Sequence, residues 1–176
     1  MQRVLSYLAI AGCLMVGLPF VSRADGLPGL TIFSGVERNS ILNFRLDYGG
    51  RPGVRDRYHL RIPSKKMELA VSDFRVTYPD TYDGKFDPER VQVRFKGERL
   101  KLGEGIEEVS WDEDNRVIEI FMEQPVPART KVELVLSNVR NPRFPGVHYF
   151  NCNVNSPGDI PLPRYLGTWI ISIGRQ

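Results

Sequence analysis

The residues able to do acid–base or nucleophilic work are few and scattered. Past the first two dozen positions the chain holds one cysteine, Cys152, and its two histidines are His59 and His148. A hydrolytic centre needs a nucleophile, a base and a group that orients the base. His148 and Cys152 stand four apart in Val147-His-Tyr-Phe-Asn-Cys-Asn-Val154. On a strand that spacing puts both on one face, pointing alike rather than at each other, which disfavours a thiolate pair. Phe150 and Val154 share that face, so Cys152 reads as a small core residue, with an accessible thiol as the alternative. His59 alternates with Arg57 and Arg61 and is expected as a solvated histidine on a polar strand face. Zinc would need a Cys/His cluster, and Met67, Met122 and the histidines are too dispersed to hold copper. Asp80, Asp83 and Asp87 around Gly84 offer the hard oxygens that calcium takes. Their spacing is not that of an EF-hand, and loop aspartates ordinarily cap and turn. The carboxylates from Glu107 to Asp114 could be paired for glycoside hydrolysis, but they read as a solvated hairpin tip. No glycine-rich turn opens a helix, so nucleotide phosphates have no cradle. The reading is not an enzyme: no catalytic residue, cofactor or metal is assigned.

Two groups of residues suit recognition instead. The segment Arg38 to Lys66 is basic and contains Arg57, His59 and Arg61. Arg140, Arg143 and Arg164 fall in two proline-rich loops with Phe144, Tyr149 and Tyr165 nearby. Arginine beside aromatic rings suits carboxylate, sulfate or sugar contacts. The alternative is that Asn138, Asn141 and Asp159 build turns while the aromatics plug the end of the domain. The candidate contacts are Arg57, His59, Arg61, Arg140, Arg143, Arg164 and Tyr165. Glu98 to Glu119 is acidic where Arg38 to Lys66 is basic, and this uneven spread is either a solvated surface of partly paired charges or, on its positive side, a docking face for an anionic partner.

These residues must be positioned by strands. Leu42, Phe44, Leu46 and Tyr48 alternate with polar residues, as do Tyr58, Leu60 and Ile62. Between them Gly49-Gly-Arg-Pro-Gly53 is a loop. From Leu69 to Tyr78 the apolar phase switches, which predicts a β-bulge at Ser72-Asp73. Asp87-Pro-Glu89 predicts one helical turn with Asp87 as cap. Further strands run through Val91 to Phe95, Val109 to Trp111, Arg116 to Glu123 and Val132 to Leu136. The last two are Val147 to Val154 and Trp169 to Ile173. The hairpin loop Asp112 to Asn115 is expected to put Asn115 at positive φ. About eight short strands without a useful helix make an all-β, antiparallel immunoglobulin-like β-sandwich, with a closed barrel as the alternative. Trp111 and Trp169 are the expected core anchors. Residues 25–55 lead into a sandwich over 56–176, and 25–176 reads as one folding unit.

The first residues decide location. Arg3 is followed by the apolar run Val4 to Val21, and Ser22-Arg-Ala24 offers small side chains where signal peptidase cuts. The expectation is a signal-peptide helix over residues 1–24, with the mature chain starting at Asp25. The rivals are an uncleaved anchor and a lipid attached at Cys13 in Ile10-Ala-Gly-Cys13. Of 24 basic and 21 acidic residues, only Arg3 and Arg23 leave with the leader. The remainder is nearly neutral, and nothing global argues for nucleic acid. No second apolar run is long enough to span a bilayer after the leader is removed.

Three stretches carry a resemblance: Tyr58 to Val93, Trp111 to Gly146, and Ser156 to Trp169. Leu136-Ser-Asn-Val-Arg-Asn-Pro142, Ser156-Pro-Gly-Asp159 and Tyr165-Leu-Gly-Thr-Trp169 are their most distinctive parts. Over Tyr58 to Ile173 the sequence resembles a family of exported cyanobacterial proteins, a domain of unknown function of the 2808 type. The resemblance implies export but no activity. Gln124 to Leu134 also resembles the crossing segment of bacterial immunoglobulin-like modules, with Arg129 where glycine is usual. The reading is an exported, non-catalytic sandwich that acts by binding, as an accessory or structural component of the periplasm or cell envelope. The thylakoid lumen is an alternative compartment. Its partner would be a protein or glycan of the envelope; the other reading is a module for anionic glycan.

Overall fold

The structure is a computed structural model that describes residues 35–158 and 163–174. The predicted leader, the lipid-acceptor reading of Cys13 and the Asp159 turn lie outside the described residues. Ten strands form one continuous sheet. They are β1 (Phe44–Leu46), β2 (Arg55–Ile62), β3 (Val71–Thr77), β4 (Val91–Phe95), β5 (Glu98–Leu102), β6 (Gly105–Asp112), β7 (Val117–Val126), β8 (Val132–Arg140), β9 (Gly146–Asn155) and β10 (Arg164–Ile173). Their order is β1-β2-β8-β4-β5-β6-β7-β3-β9-β10.

The sheet folds over on itself as an immunoglobulin-like β-sandwich. The first five strands in that order form one layer and the last five the other. Tyr58 of β2 meets Phe150 of β9 at 6.4 Å between ring centroids. Trp169 of β10 reaches across so that its Nε1 donates to the Arg61 carbonyl of β2 at 3.2 Å. Leu60, Val93 and Leu134 from one layer and Phe74, Ile120 and Ile171 from the other fill the space between, all fully buried. Alternation puts these residues inward and leaves their chain neighbours on the outer faces.

Among the described residues all strand pairs are antiparallel except one, and the isolated bridge of Ile41 with Thr168 is also parallel. At the corner between layers, β5 and β6 touch in parallel register through Lys101 with Gly105 and Leu102 with Ile106. β5 is a strand beyond those expected from the sequence. Lys96 and Gly97 take positive φ and close a hairpin that lays Glu98–Leu102 against β4.

Local details follow the chain chemistry closely. The predicted bulge appears as a register shift between Val71 and Asp73. Arg129, at the usual glycine position, adopts φ 56°. The helical turn spans Pro88–Arg90, but the Asp87 side chain does not cap it; that carboxylate accepts from Asn138 Nδ2 at 2.6 Å. In the β6–β7 loop the positive φ falls on Arg116 (58°), not on Asn115. Asp112 explains this, because it accepts both the Asn115 amide and side-chain N–H groups and holds that residue one step earlier in the turn.

The sheet nearly closes at its ends. Leu42 N–H donates to the Thr168 carbonyl at 2.8 Å and Gly174 N–H to Gly50 at 3.0 Å. Gly167 makes this possible. Its φ is 152°, and a Cβ there would lie 2.4 Å from the Ser40 carbonyl oxygen.

Candidate functional site

The outer face of the first layer carries a concentration of cations. Cross-strand partners share a face, so the register defines its rows. Arg45, His59, Val135, Gln92 and Lys101 form one row across β1, β2, β8, β4 and β5. Arg61, Glu133, Arg94 and Arg99 form the next. Arg57 lies on the same face of β2. Six basic side chains thus stand against two carboxylates on the face, Asp47 and Glu133, and a third at its rim, Glu104, which pairs with Lys101.

His59 is the centre of this face and is not solvated as the sequence suggested. It is 3% exposed. Its Nε2 lies 3.2 Å from Asp47 Oδ2 and its Nδ1 3.3 Å from Glu133 Oε2. The ring is covered because β1 and β8 flank β2 on both sides and long arginine stems lie over the sheet. Asp47 also pairs with Arg45 at 3.0 Å and Arg57 at 3.6 Å. Glu133 takes Arg61 at 3.0 Å and Arg94 at 3.6 Å. Burial pushes both carboxyls up, but the hydrogen bonds and charges of His59 and the arginines outweigh it and hold both below their usual range. Both carboxylates are shared among several cations. Buried Nε groups of Arg57 and Arg94 have no hydrogen-bond partner among the described residues. The arrangement can bind an anion.

The second group of predicted contacts does not converge. Arg140 ends β8, where its backbone exchanges hydrogen bonds with Lys85 and its side chain is exposed. Arg143 is exposed and grips Asp83, its backbone N–H and its Nε each 3.2 Å from that carboxylate. Arg164 and Tyr165 open β10. Gly146 pairs with Ile173 and Val154 with Arg164, so these two sets lie at opposite ends of the β9–β10 ribbon. At about 3.3 Å per residue they are about 25 Å apart. The Tyr165 hydroxyl bonds to Thr168 Oγ1, which donates to Asn151 Oδ1 at 2.6 Å. Phe144, Tyr149 and Tyr165 are exposed and do not plug the domain. Tyr78, Tyr82, Phe86 and Phe150 do: Tyr82 stacks on Phe86, and the other rings meet edge-on or tilted.

The polar core beneath that plug was not foreseen. Tyr58 Oη donates to Asn141 Oδ1 at 2.5 Å and lies 3.0 Å from Tyr82 Oη. Asn141 Nδ2 donates to the Arg51 carbonyl at 2.9 Å. Burial raises both tyrosine pKa values, so the hydroxyls stay neutral donors. The aspartates weighed for calcium diverge: Asp83 is held by Arg143 and Asp87 by Asn138. Cys152 is fully buried, and burial pushes its thiol pKa up. Among the described residues no group of three or more metal-ligating side chains gathers, and no helix is long and apolar enough to cross a membrane.

The sequence signal for Arg94, Arg99 and Lys101 was present as alternation in Val91-Gln-Val-Arg-Phe95 and Glu98-Arg-Leu-Lys-Leu102. What was missing was the pairing that sets both segments beside β8.

Solved structures similar to this chain include the collagen-binding domain of a Staphylococcus aureus adhesin. It shares 7% identity over 76% of this chain and 97% of that one, at a TM-score of 0.43. Another is ACE19, the collagen-binding subdomain of the Enterococcus faecalis surface protein ACE, at 9% identity over 76% and 96% of the chains and a TM-score of 0.47. A third is an uncharacterised Nocardia farcinica protein with an immunoglobulin-like fold, at 10% identity over 77% and 99% and a TM-score of 0.41. No curated protein matches the chain in sequence. The family described as "Protein of unknown function (DUF2808)" matches residues 30–173, and the chain belongs to that family.

Proposed function

We propose that the chain is exported after removal of residues 1–24 and works by binding rather than by catalysis, as an accessory component of the periplasm or cell envelope. Its contact surface is the cationic outer face of β1-β2-β8-β4-β5, and its partner is anionic. The observation that carries this reading is the imbalance on that face. Arg45, Arg57, Arg61 and Arg94 share two carboxylates, Lys101 pairs with Glu104 at the rim, and Arg99 has no ion pair among the described residues. Complementary charge steers encounter and is screened by salt.

The test uses the mature protein, Asp25 to Gln176, and purified envelope fragments from the source organism. Co-sedimentation is expected at low salt and is expected to fall steeply at high salt. Arg99→Glu with Lys101→Glu should abolish it without changing the circular dichroism spectrum. Binding that is indifferent to salt and to this charge reversal would defeat the proposal. Fractionation of cells with N-terminal sequencing of the protein tests export; a cytoplasmic protein that retains Met1 would remove that part.

A further inference from the structure

We infer that the depression lined by Arg57, Arg94, Arg99 and Lys101, together with Gln92 and Ser137, is a site for a tetrahedral oxyanion. The ligand is the sulfate or phosphate ester of an anionic polysaccharide. The inference rests on the binding role proposed above and names the chemistry that the cationic face selects.

The first ground is the placement of like charges. Arg94 and Arg99 are direct cross-strand partners on β4 and β5. Two cations so placed destabilise a strand pair unless an anion lies between them. None of the carboxylates among the described residues lies between them. Arg94 Nη1 lies 3.6 Å from Glu133, which already receives Arg61 at 3.0 Å. Arg57 lies 3.6 Å from Asp47, which Arg45 engages at 3.0 Å. Lys101 has Glu104 at 3.1 Å on the rim, and Arg99 has no ion pair among the described residues.

The second ground is unused hydrogen-bonding capacity. Arg57 and Arg94 each meet a carboxylate only through Nη1 at 3.6 Å, and their side chains are 44% and 27% exposed, which leaves guanidinium N–H groups at the surface for an anion. Gln92 spends its carbonyl on Arg94 Nη2 at 3.0 Å, which leaves its amide N–H groups and the Ser137 hydroxyl as neutral donors at the same depression.

The third ground is shape. The donors come from four strands, β2, β8, β4 and β5, and surround the depression. A planar carboxylate offers two oxygens in one plane. A sulfate or phosphate ester offers three around a tetrahedral centre and reaches donors on several sides. The depression lies within a wider cationic face that runs from Arg45 to Lys101 across five strands, about 19 Å at about 4.8 Å per strand. A chain bearing repeated charges engages more of that face than a single ion does, which assigns the ligand to a polymer rather than to free sulfate or phosphate.

The experiment is calorimetric titration of the mature protein at constant ionic strength with dextran sulfate, polygalacturonate, uncharged dextran and sodium sulfate. Three proteins are compared: the unaltered chain, Arg94→Gln/Arg99→Gln, and Lys65→Gln/Lys66→Gln, which removes equal charge elsewhere. Dextran sulfate should bind the unaltered protein about tenfold or more tighter than polygalacturonate or sodium sulfate, and dextran should not bind. Arg94→Gln/Arg99→Gln should lose about tenfold or more for dextran sulfate, and Lys65→Gln/Lys66→Gln less than about threefold. Equal affinity for the sulfated and carboxylated polymers overturns the tetrahedral site but leaves the anionic-partner reading standing. Equal affinity for sodium sulfate overturns the polymer. No binding to either polyanion removes both the site and the broader reading. Melting in sulfate-free buffer provides the folding control: relief of like-charge repulsion should keep or raise the Tm of Arg94→Gln/Arg99→Gln, and dextran sulfate should raise the Tm of the unaltered protein and of Lys65→Gln/Lys66→Gln more than that of Arg94→Gln/Arg99→Gln. A clear fall in Tm without ligand would show the arginines to be structural and overturn the assignment.

Discussion

Gly167→Ala is expected to be among the most damaging single-methyl changes in the chain. Gly167 ends the register shift that begins at Tyr165 of β10, at φ 152°. An L-residue held in such sparsely populated backbone space costs about 1–3 kcal/mol. The added Cβ would also lie 2.4 Å from the Ser40 carbonyl oxygen and 2.8 Å from Leu42 Cγ. Backbone cannot yield as a side-chain tip can, so the segment before β1 must move. That motion breaks the Leu42 N–H to Thr168 carbonyl bond of 2.8 Å, which is worth about 0.5–1.5 kcal/mol net. Together the loss is about 2–4 kcal/mol, or roughly 5–15 °C in Tm for a domain of this size. Urea denaturation followed by tryptophan fluorescence measures it, since Trp169 is two residues away and fully buried. Hydrogen exchange should show the Leu42 amide losing protection while amides of β4 keep theirs. A destabilisation below about 0.5 kcal/mol, with Leu42 still protected, would refute the close-approach argument, because a strain of this kind cannot be absorbed without opening the seam.

Other consequences are as specific. Burial lowers the pKa of His148, with Asp83 partly opposing it. The unfolded chain therefore takes up this proton first as pH falls below about 6.5, and stability contributed by the neutral ring, complete above that pH, is lost as pH falls toward the lower folded value. Thermal melts between neutral and mildly acid pH should show the decline, and His148→Phe should flatten it; the carboxyls of Asp47, Asp83 and Glu133, all held low, titrate at more acid pH. Cys152, fully buried with its thiol pKa raised, should resist a thiol reagent in the native protein and react stoichiometrically in denaturant; native labelling at the denatured rate would contradict its burial. Arg129 at φ 56° carries left-handed strain that glycine does not, so Arg129→Gly should raise stability by about 1 kcal/mol in a denaturation curve.

Alternation alone was enough to specify an all-β sandwich. The period of two in Tyr58-Leu60-Ile62, Val132-Leu134 and Phe150-Cys152-Val154 is a local property, because side chains on a strand must alternate between faces. The bulge at Ser72-Asp73 was legible for the same reason, since a phase slip can keep both apolar sets inward only by adding a residue. Arg129 marked its turn through the glycine grammar it replaces. The motifs behind the family resemblance also have structural tasks: Asn138 takes φ 61° in β8, Asn141 anchors the buried tyrosines, and Gly167 admits the closing segment.

Strand pairing was beyond the sequence, because it depends on contacts between segments far apart in the chain. The strand order places Arg94, Arg99 and Lys101 beside Arg57 and Arg61, though Arg99 and Lys101 come from the segment that composition marks as acidic. The same pairing buried His59 between Asp47 and Glu133, against the exposure its polar neighbours implied. It also sent Arg143 and Arg164 to opposite ends of one ribbon, although proline-rich loops had made them look alike. The alternation of side chains told which residues face outward; only the tertiary register decided which outward residues meet, because charge density on a sheet is set by neighbouring strands and not by neighbouring residues.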